Sequence, residues 1–310
     1  MTEPLEAGEQ PTRPPTAVVP SSAALTGALF VLVAASLWGL LGIFGTYAQR
    51  AGLSPYDVAW WRAAVGAALF GVHALALRAS FPRGRDLLVT VLFGLASGAV
   101  FYGAYQVAVA SGGASLASVL LYSAPAFVAV LSVPVLSERL GGLEIAAVAA
   151  SICGVGLVAI GGGTGITVTA LSLSTGLLAG FTYSLYYLYG RSFYQRYHPS
   201  ACLAVALGVA VLALTPFTSP ALYAPEALGQ AWPAVAGVGV LSTYVAYLCH
   251  SAGLQRLPAT RASVIATIEP VVAGVLATAL FAERPAALAV LGGVVVIAAA
   301  ATLALAPRRA

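Results

Sequence analysis

There is no lysine in the 310 residues; the basic complement is 14 arginines. Charge of either sign is scarce. Asp, Glu, Lys and Arg make up 8% of the chain, where soluble domains carry roughly 25%. This excludes a water-solvated globular domain, because 60% of the residues are hydrophobic and the mean hydropathy is +0.94. Cysteine is limited to Cys153, Cys202 and Cys249, an odd set inside apolar runs. That excludes a disulfide framework and reads as small packing residues. No Walker P-loop is present: "GGGTG" at 161–165 lacks the following lysine, so ATP is not the direct energy source. No His, Cys, Asp and Glu cluster has metal-ligand spacing, so neither metal nor cofactor is expected, nor is enzyme activity. The isoelectric point near 9.0 does not imply nucleic acid, because the arginines sit in short connections between apolar runs.

What fills the chain is apolar runs long enough to cross the roughly 30 Å hydrocarbon core, which takes about 20 helical residues. Ten such runs are expected, at about 24–47, 56–78, 87–109, 114–136, 143–161, 172–190, 200–218, 232–254, 259–281 and 286–306. Turn-forming sequences separate them, among them "FPRGRD", "SERLGG", "RYHPS" and "RLPAT". Residues 1–22, with Pro4, Pro11, Pro14, Pro15 and Pro20, read as a disordered cytoplasmic tail without a signal-peptide pattern. Eleven arginines (13, 78, 83, 85, 139, 191, 196, 256, 261, 308 and 309) fall in connections on the side of the termini, and two, Arg50 and Arg284, on the other. Positive charge stays inside, so both termini are expected in the cytoplasm and the chain in the cell (inner) membrane.

A shift of 145 residues overlays the sequence on itself. Ala114, Ala117, Ser118, Val119, Pro125, Val130, Leu131, Glu138 and Arg139 meet identical residues at Ala259, Ala262, Ser263, Val264, Pro270, Val275, Leu276, Glu283 and Arg284, and Tyr102 meets Tyr247. Each half therefore holds five runs, 23–164 and 165–307. Five is odd, so the halves insert in opposite senses. The expected fold is an all-α membrane protein of ten transmembrane helices in two inverted five-helix repeats, the plan of secondary transporters with a site between the halves.

The fourth helix of each half with its proline and terminal "ER", the "EP" of the second copy, Trp38-Gly39 and Arg62 resemble the drug/metabolite transporter superfamily in its ten-helix EamA-type branch. The resemblance covers about residues 24–306. It implies an inner-membrane permease, usually an exporter of amino acids or other small metabolites. It also implies a central cavity lined by the first, third, fourth, sixth, eighth and ninth helices.

Polar groups inside the membrane are costly and therefore informative. Of ten acidic residues, Glu269 alone falls near a midplane. Charged and unpaired it would cost several kcal/mol, so it must be protonated, paired or facing water. It is either a partner for backbone freed by Pro270 or a cavity group that couples transport to protons. Its repeat mate is Ala124. Arg62 either snorkels to the interface, the default, or reaches inward to a carboxylate. His73 reads as interfacial. His250 sits one turn from Tyr247.

Tyr102, Tyr105 and Gln106 share one face of the third run by their spacing, as do Tyr244, Tyr247 and His250 in the eighth. Tyr183 and Tyr187 in the sixth, Tyr122 and Ser123 in the fourth and Trp38 in the first complete a candidate cavity with Glu269. Pro125 and Pro270 are expected to bend their helices. Tyr189, Tyr194, Tyr197, Trp60, Trp61 and Trp232 read as interfacial aromatics. Such a cavity suits a neutral, zwitterionic or cationic solute with apolar bulk. The expected function is export of small organic metabolites across the lipid bilayer by alternating access, amino acids with aromatic or apolar side chains first. Protons are a candidate coupling ion. The alternative is a multidrug or quaternary-amine exporter.

Overall fold

The structure, a computed structural model, describes residues 22–162, 167–219, 224–281 and 286–306. The expected terminal tail, most of "GGGTG" and the Glu283-Arg284 pair lie outside the described residues. The described chain is helical, without a strand. We number its ten long helices α1 (Ser22–Arg50), α2 (Pro55–Ala76), α3 (Gly84–Gly112), α4 (Ala114–Leu121 and Ala124–Leu136), α5 (Gly142–Gly162), α6 (Ala170–Phe193), α7 (Pro199–Phe217), α8 (Pro225–Leu254), α9 (Ala259–Ala266 and Glu269–Phe281) and α10 (Ala287–Leu305). Among the described residues nine are long and apolar enough to span a membrane. The remaining one, α6, has 24 residues but is made more polar by its serines, threonines and tyrosines.

Local chemistry sets the helix starts. Ser54 caps α2: its hydroxyl accepts from Asp57 N–H (3.1 Å) while the Asp57 carboxylate accepts from Ser54 N–H (2.7 Å), with Pro55 at the first helical position. Thr169 and Ser172 repeat that capping box at α6. The packing of the helices repeats as the sequence does. The α2 helix lies on α7, and α5 on α10, each on its own repeat mate; α1 lies on α8, as α3 lies on α6. Gly94 and Gly98 allow α3 to approach α7 closely, since a Cβ on Gly94 would stand 2.5 Å from the Ala206 carbonyl oxygen. Large apolar side chains on the outside, such as Leu75 and Leu212 (70% and 75% exposed), form a lipid-facing surface.

Connections sort onto two faces. One, the terminal face, carries the start of α1, the end of α10 and the α2–α3, α4–α5, α6–α7 and α8–α9 connections. There Arg196 pairs with Asp86 (3.2 Å), and Arg261 donates to the Ala306 carbonyl (2.8 Å). On the other face Asp57 at the start of α2 accepts from Ser219 beyond α7.

The helices near the centre are irregular at repeat-related places. The α4 helix breaks at Tyr122-Ser123 and α9 at Thr267-Ile268, positions related by the 145-residue shift. Ser123 N–H bonds back to Leu120 O (3.2 Å), and Ile268 N–H to Ile265 O (3.3 Å), as tighter turns. Pro125 and Pro270 are then the second residues of new segments, where a missing N–H costs nothing. The sequence led us to expect a bend in one continuous helix; the chain instead divides each helix in two. Leu95–Val100 in α3 and Gly237–Val245 in α8, again repeat mates, are π-helical.

Two of the expected interfacial aromatics are buried instead. Tyr189 stacks on Phe93 at 4.0 Å and shares a hydrogen bond with Thr90 (2.7 Å), while Tyr194 is 3% exposed. Both lie in the central aromatic core, where tertiary packing outweighs the preference of tyrosine for the headgroup level. Trp232, 62% exposed, remains on the surface.

Candidate functional site

A cavity of about 430 Å³ lies between the two halves. Its walls come from α1 (Trp38 to Gln49), α2 (Pro55 to Arg62), α3 (Phe101 to Gln106), the first segment of α4 (Ser118 to Tyr122), the second segment of α9 (Glu269 to Ala273) and Val238 of α8. Gln49 and Pro55 flank the α1–α2 connection, so the cavity occupies the half of the bundle opposite the terminal face. The irregular backbone surrounds it: the turn at Leu40, the π-helical stretch before Phe101 and the breaks in α4 and α9. Non-helical backbone at membrane depth is tolerated where it lines a cavity.

An arginine and a glutamate share these walls. The Arg62 guanidinium is turned inward, away from the interface, with Nε donating to Thr243 Oγ1 (3.1 Å), Nη1 to the Tyr102 hydroxyl and Nη2 to the Tyr247 hydroxyl (3.5 Å). It also lies over both tyrosine rings, 5.6 and 5.9 Å from their centres. Glu269 is the first residue of the second segment of α9, where the N-terminal end of the helix dipole favours a carboxylate. The Tyr183 hydroxyl donates to its Oε2 (3.5 Å), and the Tyr122 hydroxyl stands beside it. Among the described residues Arg62 and Glu269 make no ion pair with each other; the pairs found are Arg196–Asp86 and Arg261–Glu144.

Of the residues singled out in the sequence, Trp38, Tyr102, Tyr105, Gln106, Tyr122, Glu269 and Pro270 line this cavity. Tyr183 stands behind Glu269 and stacks on Phe101 at 5.7 Å. Tyr187, Tyr247 and His250 form a packed layer on the terminal side. The His250 ring lies 5.1 Å from Trp38 and 5.0 Å from Tyr187, and Tyr247 lies 5.6 Å from Trp38. Trp38 Nε1 and both ring nitrogens of His250 are buried without a hydrogen-bond partner among the described residues. Ser123 and Tyr244 stand apart. Ser123 Oγ donates back to Leu120 O (2.6 Å), and Tyr244 meets His73 Nδ1 (2.9 Å) over Phe70. Pro125 is buried outside the lining.

Arg62 is the wall residue for which sequence reasoning took the interface as the default and the inward direction as the alternative. A signal was available: the 145-residue shift pairs Arg62 with Leu207, as it pairs Glu269 with Ala124. Each charge belongs to one half only.

Comparison with known proteins matches residues 25–160 and 170–305 to the EamA-like transporter family, one copy in each half. The chain belongs to the EamA-like transporter family. A probable terminal-alkyne amino-acid exporter of Streptantibioticus cattleyicolor is 27% identical over 279 residues, covering 85% of this chain and 91% of its relative. An uncharacterized transporter of Archaeoglobus fulgidus is 24% identical over 259 residues, covering 84% and 90%. A solved crystal structure superposes with a TM-score of 0.76 at 19% identity, covering 91% of this chain and 96% of that one, a likeness of fold. The transporter is thus a multi-pass membrane protein with a cavity between its two repeats.

Proposed function

We propose that this transporter exports amino acids with apolar or aromatic side chains across the cell (inner) membrane by alternating access, with both termini cytoplasmic. The observation that carries the proposal is the pairing of Arg62 and Glu269 in one aromatic-walled cavity without a bond between them. A free α-amino acid presents a carboxylate and an ammonium within a few ångströms of each other. Arg62 supplies the fork for the first and Glu269 the acceptor for the second. Trp38, Tyr102, Tyr105 and Tyr122 supply ring faces and edges for the side chain. The relative named as a probable amino-acid exporter supports the same class. A quaternary amine finds Glu269 and the rings congenial but meets the Arg62 charge, so the amine-exporter reading is the weaker one.

Glu269 is also our candidate for proton coupling, since a carboxyl that binds either an ammonium or a proton exchanges one for the other during a cycle. Counterflow in proteoliposomes tests both points. Labelled apolar and aromatic amino acids should exchange against the unlabelled form, and quaternary amines should not; the reverse pattern refutes the substrate class. A pH gradient should drive accumulation in the parent protein and fail to do so in Glu269→Gln. Gradient-driven accumulation that survives Glu269→Gln rules out coupling at this residue.

A further inference from the structure

Alternating access requires each face to open in turn, and a repeat-built transporter does this by exchanging the conformations of its halves. The central helices α4 and α9 show which contact changes. On the terminal face the second segment of α4 packs against the first segment of α9. On the opposite face the equivalent elements, the first segment of α4 and the second segment of α9, both line the cavity, through Ser118 on one and Ala273 on the other, and come together at its inner end, where Tyr122 stands beside Glu269. The repeat mates of the cavity residues Tyr102 and Tyr105 are Tyr247 and His250, and these are 4% and 1% exposed. One side of the molecule is therefore open where the other is shut.

Several hydrogen bonds and ion pairs cross from half to half on the shut side, and those of Glu138 join α4 directly to α9. Glu138, just past the end of α4, accepts from Ala259 N–H (2.6 Å) through Oε1, and from Thr260 N–H (3.4 Å) and Thr260 Oγ1 (3.2 Å) through Oε2. It thereby satisfies the free N–H groups at the start of α9 and sits at the favourable end of that helix dipole. Ser132 Oγ meets Thr260 Oγ1 at 3.1 Å behind it, and Ala129 and Val264 pack below. Beside these short side chains, Arg261 of the same α9 segment is held by Glu144 of α5 (2.9 Å), a second link between the halves that opening must also break.

We infer that the contact between the second segment of α4 and the first segment of α9 is the gate of the terminal face, and that Glu138 is its latch. This rests on the transport reading above but not on which solute is carried. Release of Glu138 removes the direct tie between α4 and the start of α9 and shifts the balance toward an open terminal half and a closed cavity on the opposite side, with the Arg261–Glu144 pair parting in the same movement.

Ser118 and Ser263 are repeat mates and make matched reporters: Ser118 lines the open cavity, and Ser263 is 2% exposed behind the gate. In full-length protein with Cys153, Cys202 and Cys249 replaced by alanine, Ser118→Cys should react with a membrane-impermeant thiol reagent and Ser263→Cys should be protected. Adding Glu138→Ala should raise the Ser263→Cys rate and lower the Ser118→Cys rate, changing their ratio by about tenfold or more, as expected for loss of charge-assisted hydrogen bonds. Glu138→Gln, which keeps one acceptor, should fall between. Loss of fold would raise both rates together, so opposite changes identify gating. Unchanged rates, or a joint rise in both Glu138 variants, overturn the inference. The labelling needs no substrate, so its outcome is separate from that of the counterflow assay.

Discussion

Replacing Arg62 tests the proposed recognition most directly. A guanidinium carries five N–H donors. Three are engaged by Thr243, Tyr102 and Tyr247, one from each nitrogen, which leaves one N–H on each terminal nitrogen, the pair a carboxylate takes in a two-pronged contact. Hydrogen bonds to charged groups contribute about 1.5–3 kcal/mol each. Two of them, discounted for desolvation of the fork and the carboxylate, leave about 2 kcal/mol, or about 30-fold in affinity. Arg62→Gln should therefore raise the half-saturating amino-acid concentration in counterflow by about 10- to 100-fold. Arg62→Lys keeps the charge but not the fork and should recover only part of the loss. The corresponding decarboxylated amine provides the control: it has no group for Arg62, so its weak transport should hold or improve in Arg62→Gln. Intact folding is checked by size-exclusion profile and thermal unfolding in detergent. If Arg62→Gln leaves amino-acid affinity unchanged, or weakens amine and amino acid alike, the reasoning fails.

Two further outcomes concern stability. The Arg261–Glu144 pair is buried, with 5% and 8% side-chain exposure at 2.9 Å, so Glu144→Ala takes a carboxylate from a guanidinium that keeps its bond to the Ala306 carbonyl and should cost about 3 kcal/mol, read as a fall in thermal midpoint. The double variant Arg261→Met, Glu144→Leu should recover much of that loss; no recovery would mean that the charges are needed for more than each other. At the α3–α7 contact, Gly94→Val drives a side chain into the Ala206 backbone and should destabilise by about 1–3 kcal/mol, whereas Gly103→Ala, with open space around it, should not lower the midpoint.

The helical class and the number of spans were legible because both follow from composition and run length: an apolar stretch of about 20 residues in a chain with 8% charge has one stable arrangement, a membrane helix. The repeat was legible for the same reason, since identities 145 residues apart need no coordinates to be seen. Glu269 was visible because a carboxylate in such a run is rare enough to demand a partner. Side-chain direction was beyond reach. Arg62 can snorkel outward or turn inward from the same backbone position, and only Thr243, Tyr102 and Tyr247, brought from α8 and α3, decide the matter. Tyr189 and Tyr194 look like belt residues in sequence, yet partners from distant helices bury them. Spacing places Tyr244 on a face with Tyr247 and His250, but within the π-helical stretch it meets His73 of α2 instead. The sequence by itself determined a ten-helix inverted repeat with one charge on each of two unlike positions. Tertiary structure alone decided that those charges face one cavity and that the cavity is open on one face, because both depend on contacts between residues far apart in the chain.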